Sequence, residues 1–375
     1  MKITRIETIP VSVPINPARA IKSGRGYHTT SPFLLVKVHT DQDIVGLGEV
    51  SCTAVWSGED QQTAAHLIAH YLEPMLMGQD PTQIERLMPQ IQRTVANNPF
   101  TKAALEMAFW DILGKEAGLP VYRLLGGPAR DVVATKYSVS GLEPPKAAEV
   151  AAWAVAQGFR TMKVKVGINP VEDVARVAAV REAVGPDVEI LVEVHRRLAP
   201  VHAIRVAHMM EEFRPYWYEE PVSVRDLVGL TQAKQNIRLP VVTGEELYTK
   251  AEFQPIFAAR AADIINPDVC NCGGILELRE IAAMAEPAHV AVSPHNYNST
   301  TMGLAATLHA AAGMPNFLIT EYFVNFEEMG RQIAQTPFTV KESYIELPTT
   351  PGLGIDLDEE ALARYPYQEF AARNL

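Results

Sequence analysis

The chain has 375 residues, 47% of them hydrophobic, and a net charge of −11. That length buries a large core and allows two domains, while the acidic balance and the lack of any Lys/Arg run argue against nucleic acid or an anionic membrane as partner. No apolar run approaches the roughly 18 residues of a membrane span, and MKITRIETIPVSVPI lacks an apolar signal core, so a soluble, cytoplasmic protein is expected.

Residues 1 to about 50 read as an antiparallel sheet. ITRIETIPVSVPI and PFLLVKVHTDQDIVGLGEV alternate apolar and polar positions, with Asp41-Gln42-Asp43 as a turn. AIKSGRGYHTTS and SCTAVWSGEDQQ read as mobile loops. From about Thr63 to Gly118 the pattern is helical, and its best helix has Asn98 as N-cap, Pro99 in first position and Gly118 as stop. FTKAALEMAFWDILGKEAG is apolar on more than one face, which predicts a sandwiched helix with Met107 and Trp110 in the core. Gly126-Gly127-Pro128 marks a boundary, so residues 1–127 are read as an α+β capping domain.

Beyond it, strand-like and helix-like segments alternate. VVATKYSVS, FRTMKVKVG, EILVEV, YWYEE, PVVTGE, DIINPD, HVAVSP and NFLITEY are the strands. In one intervening helix Val171, Val174, Val177, Ala178 and Val184 share a face, with Gly185 as stop. Eight such strands predict an α/β fold, a closed (β/α) TIM-type barrel over residues 128–345. No glycine-rich dinucleotide fingerprint follows a strand. The odd cysteine number suggests a reducing compartment, and Cys270-x-Cys272, with no second pair, reads as packing rather than zinc. Residues 346–375 are turn-rich and expected to pack back on the capping domain.

The strand ends carry the chemistry. Glu193, Glu219 and Glu245 recur with a constant step of 26 residues, one strand plus one helix plus two loops. At equivalent ends of a barrel such acids converge. Converged carboxylates repel unless a cation sits among them, and an all-oxygen set favours Mg²⁺. The other strands end in Lys163 and Lys165, Asp268, His295 and Glu321, and His195 follows Glu193 by two.

These residues, with KVK, the EEP and GEE contexts, NPDVCNCGG, SPHN and the upstream KAALEMAFWDILGKEAGLPVYRLLGG, carry a resemblance. The chain resembles the enolase superfamily, in the mandelate racemase and muconate lactonizing enzyme group, over essentially its whole length. The resemblance implies Mg²⁺ held by Glu193, Glu219 and Glu245, and a small-molecule carboxylate substrate whose α-proton is removed to give an enediolate. Sites of that superfamily pair a Lys or His base with Mg²⁺ for this step. Lys165 is then the base on one face, with Lys163 offering a hydrogen bond to the substrate carboxylate. His295, oriented by Asp268, serves the opposite face, and Glu321 bonds the substrate carboxylate, a role that needs it protonated when it donates.

His195 resembles the general acid of acid-sugar dehydratases, which makes dehydration to a 2-keto-3-deoxy acid the leading expectation. Racemisation, epimerisation or muconate-type cycloisomerisation is the alternative. Glu220 and Glu246 are expected to face away or to support the ligands. Lys22, Arg25 and Tyr27 in the first loop and Trp56 in the second are candidate substrate contacts that close over the mouth, and Arg196 with Arg197 are candidate contacts to an anionic or polyhydroxylated substrate. By analogy a closed homo-oligomer is expected.

Overall fold

The computed structural model describes residues 1–15, 20, 22, 29–196, 198–296, 299–322, 327–334 and 338–369. β1 (Ile3–Pro14), β2 (Thr30–Thr40) and β3 (Val45–Val50) form an antiparallel sheet in the order β1-β2-β3. β2 is apolar on both faces because both are covered. Phe33 and Leu35 join the core shared with the barrel, whereas Leu34, Val36 and Val38 join a second core with the cap's own helices.

The helix Pro99–Ala117 is sandwiched between the same two cores: Ala103 and Met107 enter the first, Ala104, Ala108 and Ile112 the second. Two glycines let β3 lie directly on it, since a Cβ would fall 1.9 Å from the Ala104 carbonyl oxygen at Gly48 and 2.1 Å from that of Ala108 at Gly46. Its cap differs from the expected one. Asn98 adopts φ 53° and turns its amide to the Ala96 carbonyl at 2.8 Å. Glu59 caps the helix instead, accepting from the N–H groups of Phe100 at 3.1 Å and Thr101 at 2.8 Å. A carboxylate there satisfies two free donors and the helix dipole together.

Among the described residues eight strands build the second unit: β4 (Val132–Val139), β5 (Thr161–Lys165), β6 (Glu189–Glu193), β7 (Trp217–Glu219), β8 (Val241–Thr243), β9 (Ile264–Ile265), β10 (Ala291–Val292) and β11 (Thr320–Glu321). They run parallel in sequence order from β4 to β10, and β11 lies beside β4. The ring closes through the approach to β11, where Val292 donates to Asn316 O at 2.9 Å and accepts from Leu318 N at 2.8 Å. The fold is a TIM-type barrel with an α+β N-terminal cap. Tyr344–Glu346 adds β12 antiparallel to the start of β4.

The helix Pro170–Val184 departs from its expected face. Val171 is 74% exposed, and the buried positions are Asp173, Arg176, Val177 and Val180. The loop after β5 explains this. Asp173 accepts from the N–H groups of Gly167 at 2.9 Å and Ile168 at 3.1 Å, and pairs at 2.6 Å with Arg176, which donates to the Lys165 carbonyl at 3.3 Å. Those backbone groups need partners more than Val171 needs burial. Cys270 and Cys272 are buried free thiols in the main core.

Buried carboxylates join cap to barrel. Glu106 accepts from Ile275 N at 2.7 Å and Leu276 N at 2.8 Å, at the start of the helix Ile275–Ala285. Glu49 of β3 does the same for the helix Thr301–Ala312. Asp111 accepts from Leu47 N at 2.9 Å and from Leu353 N at 2.8 Å, tying the stretch beyond the barrel to β3 and its helix. No helix among the described residues is long and apolar enough to cross a membrane.

His309 supplies a pH-dependent term. Its ring is fully buried and accepts the Tyr122 N–H at Nδ1 over 3.2 Å, so it must be neutral there. Burial pushes its pKa down from 6.5 to about 4. The unfolded chain takes up that proton first, so the stabilisation is complete above pH 6.5 and is lost as the pH falls towards 4, by roughly 3 kcal/mol. Urea unfolding at pH 7.5 and 5 should show His309→Gln losing less stability over that interval than the wild type. An equal loss in both proteins counts against the assignment.

Candidate active site

The site follows from the period of two along the barrel strands. On β5, Met162 and Val164 face the surrounding helices, so Lys163 and Lys165 face inward. On β6 and β7 the inward sets are Leu191 with Glu193 and Trp217 with Glu219. Parallel register places Lys165 beside Glu193 and Glu193 beside Glu219. The next partner in that row is Val242, not Glu245. The equal sequence step therefore does not put the third acid at the same height, and Glu245 stands three residues further along its strand direction.

This difference organises the carboxylates into two overlapping groups, each with its candidate ligand atoms within 4.8 Å of one another. Glu193 belongs to both, with Glu219 and Glu321 on one side and with His195 and Glu245 on the other. Glu193, Glu219 and Glu245 are fully buried. Lys163 Nζ lies 2.7 Å from Glu193 and 3.0 Å from Glu219 and also contacts Glu321, while Lys165 contacts Glu193 and Arg196 contacts Glu245. Buried hard-oxygen donors so gathered fit a divalent ion of the Mg²⁺ type.

Burial raises every one of these carboxyls, and the adjacent cation decides the outcome. Lys163 and Lys165 bring Glu193 well below the ordinary carboxylate range, and Arg196 and His295 do so for Glu245. Glu219 stays above it, because it shares Lys163 with two other acids. Burial lowers Lys163, but Glu193, Glu219 and Glu321 outweigh that and hold it well above the ordinary lysine range. For Glu321 burial is overcome by Lys163 and His295, which hold it well below the ordinary carboxylate range.

His295 comes from the loop after β10, across the barrel mouth from β5. Its Nδ1 lies 2.8 Å from Asp268 Oδ2, and its Nε2 lies 3.1 Å from Glu245 and 3.4 Å from Glu321. Burial lowers its basicity, but Glu321, Glu245 and Asp268 together push it up to about 10. His195 differs. Its Nδ1 lies 2.7 Å from Glu193 Oε1, and burial takes it down to about 4. Facing an ionised carboxylate, Nδ1 must carry the hydrogen, so Nε2 of the neutral ring is an acceptor. His195 and Arg196 both have left-handed backbone, φ 59° and 63°, a strain of about 1 kcal/mol or more at each.

Trp56 covers the mouth: its ring centre lies 5.5 Å from that of His295 and 5.8 Å from the Arg196 guanidinium. Lys22 reaches the rim through its backbone, donating to Ser140 Oγ at 2.7 Å, with its side chain exposed. Arg25, Tyr27 and Arg197 lie outside the described residues. Glu220 supports the site from behind, accepting from Gly244 N at 2.9 Å, and Glu246 lies 3.2 Å from Arg196.

Several participants escaped the sequence reading. Asn266 donates to Glu219 at 3.2 Å, Trp217 donates to it at 3.0 Å, and Lys136 stands over the Trp217 ring at 4.5 Å while donating to Ser293 at 2.9 Å. Each precedes a strand-end residue by two: Lys136 before Ser138, Trp217 before Glu219, Asn266 before Asp268, Ser293 before His295. The same alternation that selected Lys163 with Lys165 would have found them.

Comparison with known proteins gives the same picture. Residues 5–126 match the mandelate racemase / muconate lactonizing enzyme N-terminal domain, and residues 146–361 match the enolase C-terminal domain-like family. N-succinyl-L-Arg/Lys racemase of Bacillus cereus is 30% identical over 96% of this chain and 97% of its own. A D-galactonate dehydratase family member of Streptomyces bingchenggensis is 31% identical over 90% of this chain and 92% of its own. The crystal structure of a dipeptide epimerase from Cytophaga hutchinsonii, complexed with Mg and D-Ala-L-Val, superposes with a TM-score of 0.91 at 27% identity, covering 97% of this chain and 98% of that one. With both halves matched and relatives aligned nearly end to end, the chain belongs to the enolase superfamily, in its mandelate racemase / muconate lactonizing enzyme group.

Proposed function

We propose that the protein is a Mg²⁺-dependent lyase that removes the proton α to a carboxylate and expels a β-hydroxyl, converting a sugar acid to a 2-keto-3-deoxy acid. The observation that carries its proton-transfer chemistry is the placement of Lys165 and His295, which approach one carboxylate cluster from opposite sides of the barrel mouth, each within reach of its acids; the polar groups around the site favour elimination. Glu193, Glu219 and Glu245 would hold the ion, which supplies Lewis-acid stabilisation of charge on the substrate carboxylate. Lys163 keeps a positive charge against the same carboxylate. Lys165 takes the α-proton on one face. His295, oriented by Asp268, gives its Nε2 proton to the departing hydroxyl on the other. Trp56 excludes water.

The acid role expected of His195 falls to His295, whose Nε2 faces the acids from the opposite side. His195 Nε2, an acceptor, instead receives a hydrogen bond from a substrate hydroxyl and fixes its orientation. Ser138 and the Asn296 N–H beside Glu321, and Asn266 beside Glu219, add polar groups to the site, which suits a polyhydroxylated substrate better than an apolar one.

The second reading is racemisation or epimerisation. The same Lys165 and His295 can exchange protons with the two faces of one α-carbon, and the Bacillus cereus racemase aligns almost end to end. One experiment separates the two. With Mg²⁺ in heavy water, proton NMR over a library of sugar acids and N-acylated amino acids should show a keto acid forming from a sugar acid. Deuterium uptake at Cα without loss of water establishes the second reading, and neither event with any acid rejects both.

A further inference from the structure

The mechanism leaves the fully buried carboxylates of the cap unused, and the position of one of them, Glu49, is informative. Glu49 lies on β3, far in sequence from the barrel, and its side chain crosses into the barrel's loops. Oε1 accepts from Thr300 N at 2.8 Å and Gly303 N at 3.1 Å, and Oε2 accepts the Thr300 hydroxyl. The Cys270 thiol lies 3.8 Å from Oε1, and the Cys270 N–H donates to Asp268 Oδ1 at 2.9 Å. The other oxygen of Asp268 is the one that holds His295 Nδ1. Glu49 therefore grips the barrel at two points, through Cys270 behind Asp268 and through Thr300 five residues beyond His295.

The fit leaves little play. A Cβ at Gly303 would fall 2.6 Å from Glu49 Oε1 and 2.5 Å from Cys270 Sγ, so helix, thiol and carboxylate are in direct contact. The same strand leads into the segment Ala54–Ser57, whose Trp56 lies over the His295 ring. Lys165, by contrast, is backed from within the barrel by Arg176.

We propose that Glu49 is a positioning residue for the Asp268–His295 pair, so that the cap governs one of the two proton-transfer faces and leaves the other to the barrel. The proposal rests on the reading of His295 as a proton carrier. A carboxylate that merely capped a helix would contribute stability and act on both faces alike. A carboxylate that sets the angle of Asp268 acts on the His295 face alone, where displacement of the imidazole by a fraction of an ångström costs rate steeply.

The test uses the full-length, Mg²⁺-loaded protein and the variants Glu49→Gln and Glu49→Ala. Proton transfer is measured separately for each face in heavy water: loss of the β-hydroxyl as water, or exchange of an α-proton presented to His295, reports the His295 face, and exchange of an α-proton presented to Lys165 reports the other. Proton transfer on the His295 face should fall on the order of 10–100-fold in Glu49→Ala, and less in Glu49→Gln, with the Lys165 face changed by no more than about twofold. A parallel fall on both faces, or no fall, overturns the proposal. A substrate-free readout separates this result from failure of the functional reading. In ¹⁵N-histidine-labelled protein, the downfield Nδ1–H signal of His295 should shift or broaden in Glu49→Ala while the His309 signals stay in place. An unchanged His295 signal in both folded variants overturns the proposal whatever the substrate proves to be. Should Glu49→Ala not fold, Glu49→Gln and Thr300→Val carry the same comparison.

Discussion

Replacing Lys165 by alanine is expected to lower kcat by roughly 10²–10⁴-fold, the usual contribution of a positioned base, with a much smaller effect on KM. The side chain is 4% exposed and directed at Glu193, and its backbone carbonyl accepts from Arg176 of the buried Arg176–Asp173 pair. Lys165→Arg is the informative companion. It keeps the positive charge beside Glu193 but supplies no basic amine at neutral pH, and should be nearly as impaired as the alanine variant. Steady-state rates and α-proton exchange in heavy water check this. If Lys165→Arg retained wild-type exchange, the positive charge rather than proton transfer would be its contribution, and the base would have to be sought elsewhere.

Glu193→Ala should have an effect of similar size by a different route. Glu193 is the one acid common to both carboxylate groups, and Lys163, Lys165 and His195 all lean on it. Removing it takes away a proposed ligand and leaves buried cations without their counter-charge, a change of about 3–5 kcal/mol where a buried pair is broken. Calorimetry should find Mg²⁺ affinity reduced at least about 100-fold, with turnover falling in parallel; Glu193→Gln, nearly the same shape, isolates the charge. Wild-type Mg²⁺ affinity in Glu193→Gln would exclude this residue from the ion's ligands.

Most of the architecture was legible because the barrel repeats one rule. Each strand is an apolar run with a polar inner row, and the period of two is enough to assign its faces. The sandwiched helix was legible for a related reason, since no helix apolar on two faces is stable with one of them in water. What escaped was set by tertiary geometry. The height of Glu245 depends on strand stagger, which equal spacing in sequence does not encode. Val171 lost its burial to the hydrogen-bonding needs of a loop after β5. Asn98 lost its capping role to Glu59, which is 39 residues earlier and becomes a neighbour only when the chain is folded. The charge states of His195, His295 and Glu321 were equally beyond reach, because each is decided by which neighbours the fold brings within a few ångströms.

The bond from Leu353 to Asp111 has a bearing on how the molecule is made. Leu119 and Val121 also exchange backbone bonds with Gly352, and Ser12 reaches Tyr365. The first third of the polypeptide thus leaves the ribosome lacking partners that are translated only after the whole barrel. The intervening barrel can close in the meantime, so the opening sheet and its long helix remain incomplete until that later stretch emerges, and during the interval chaperones have their best opportunity to bind.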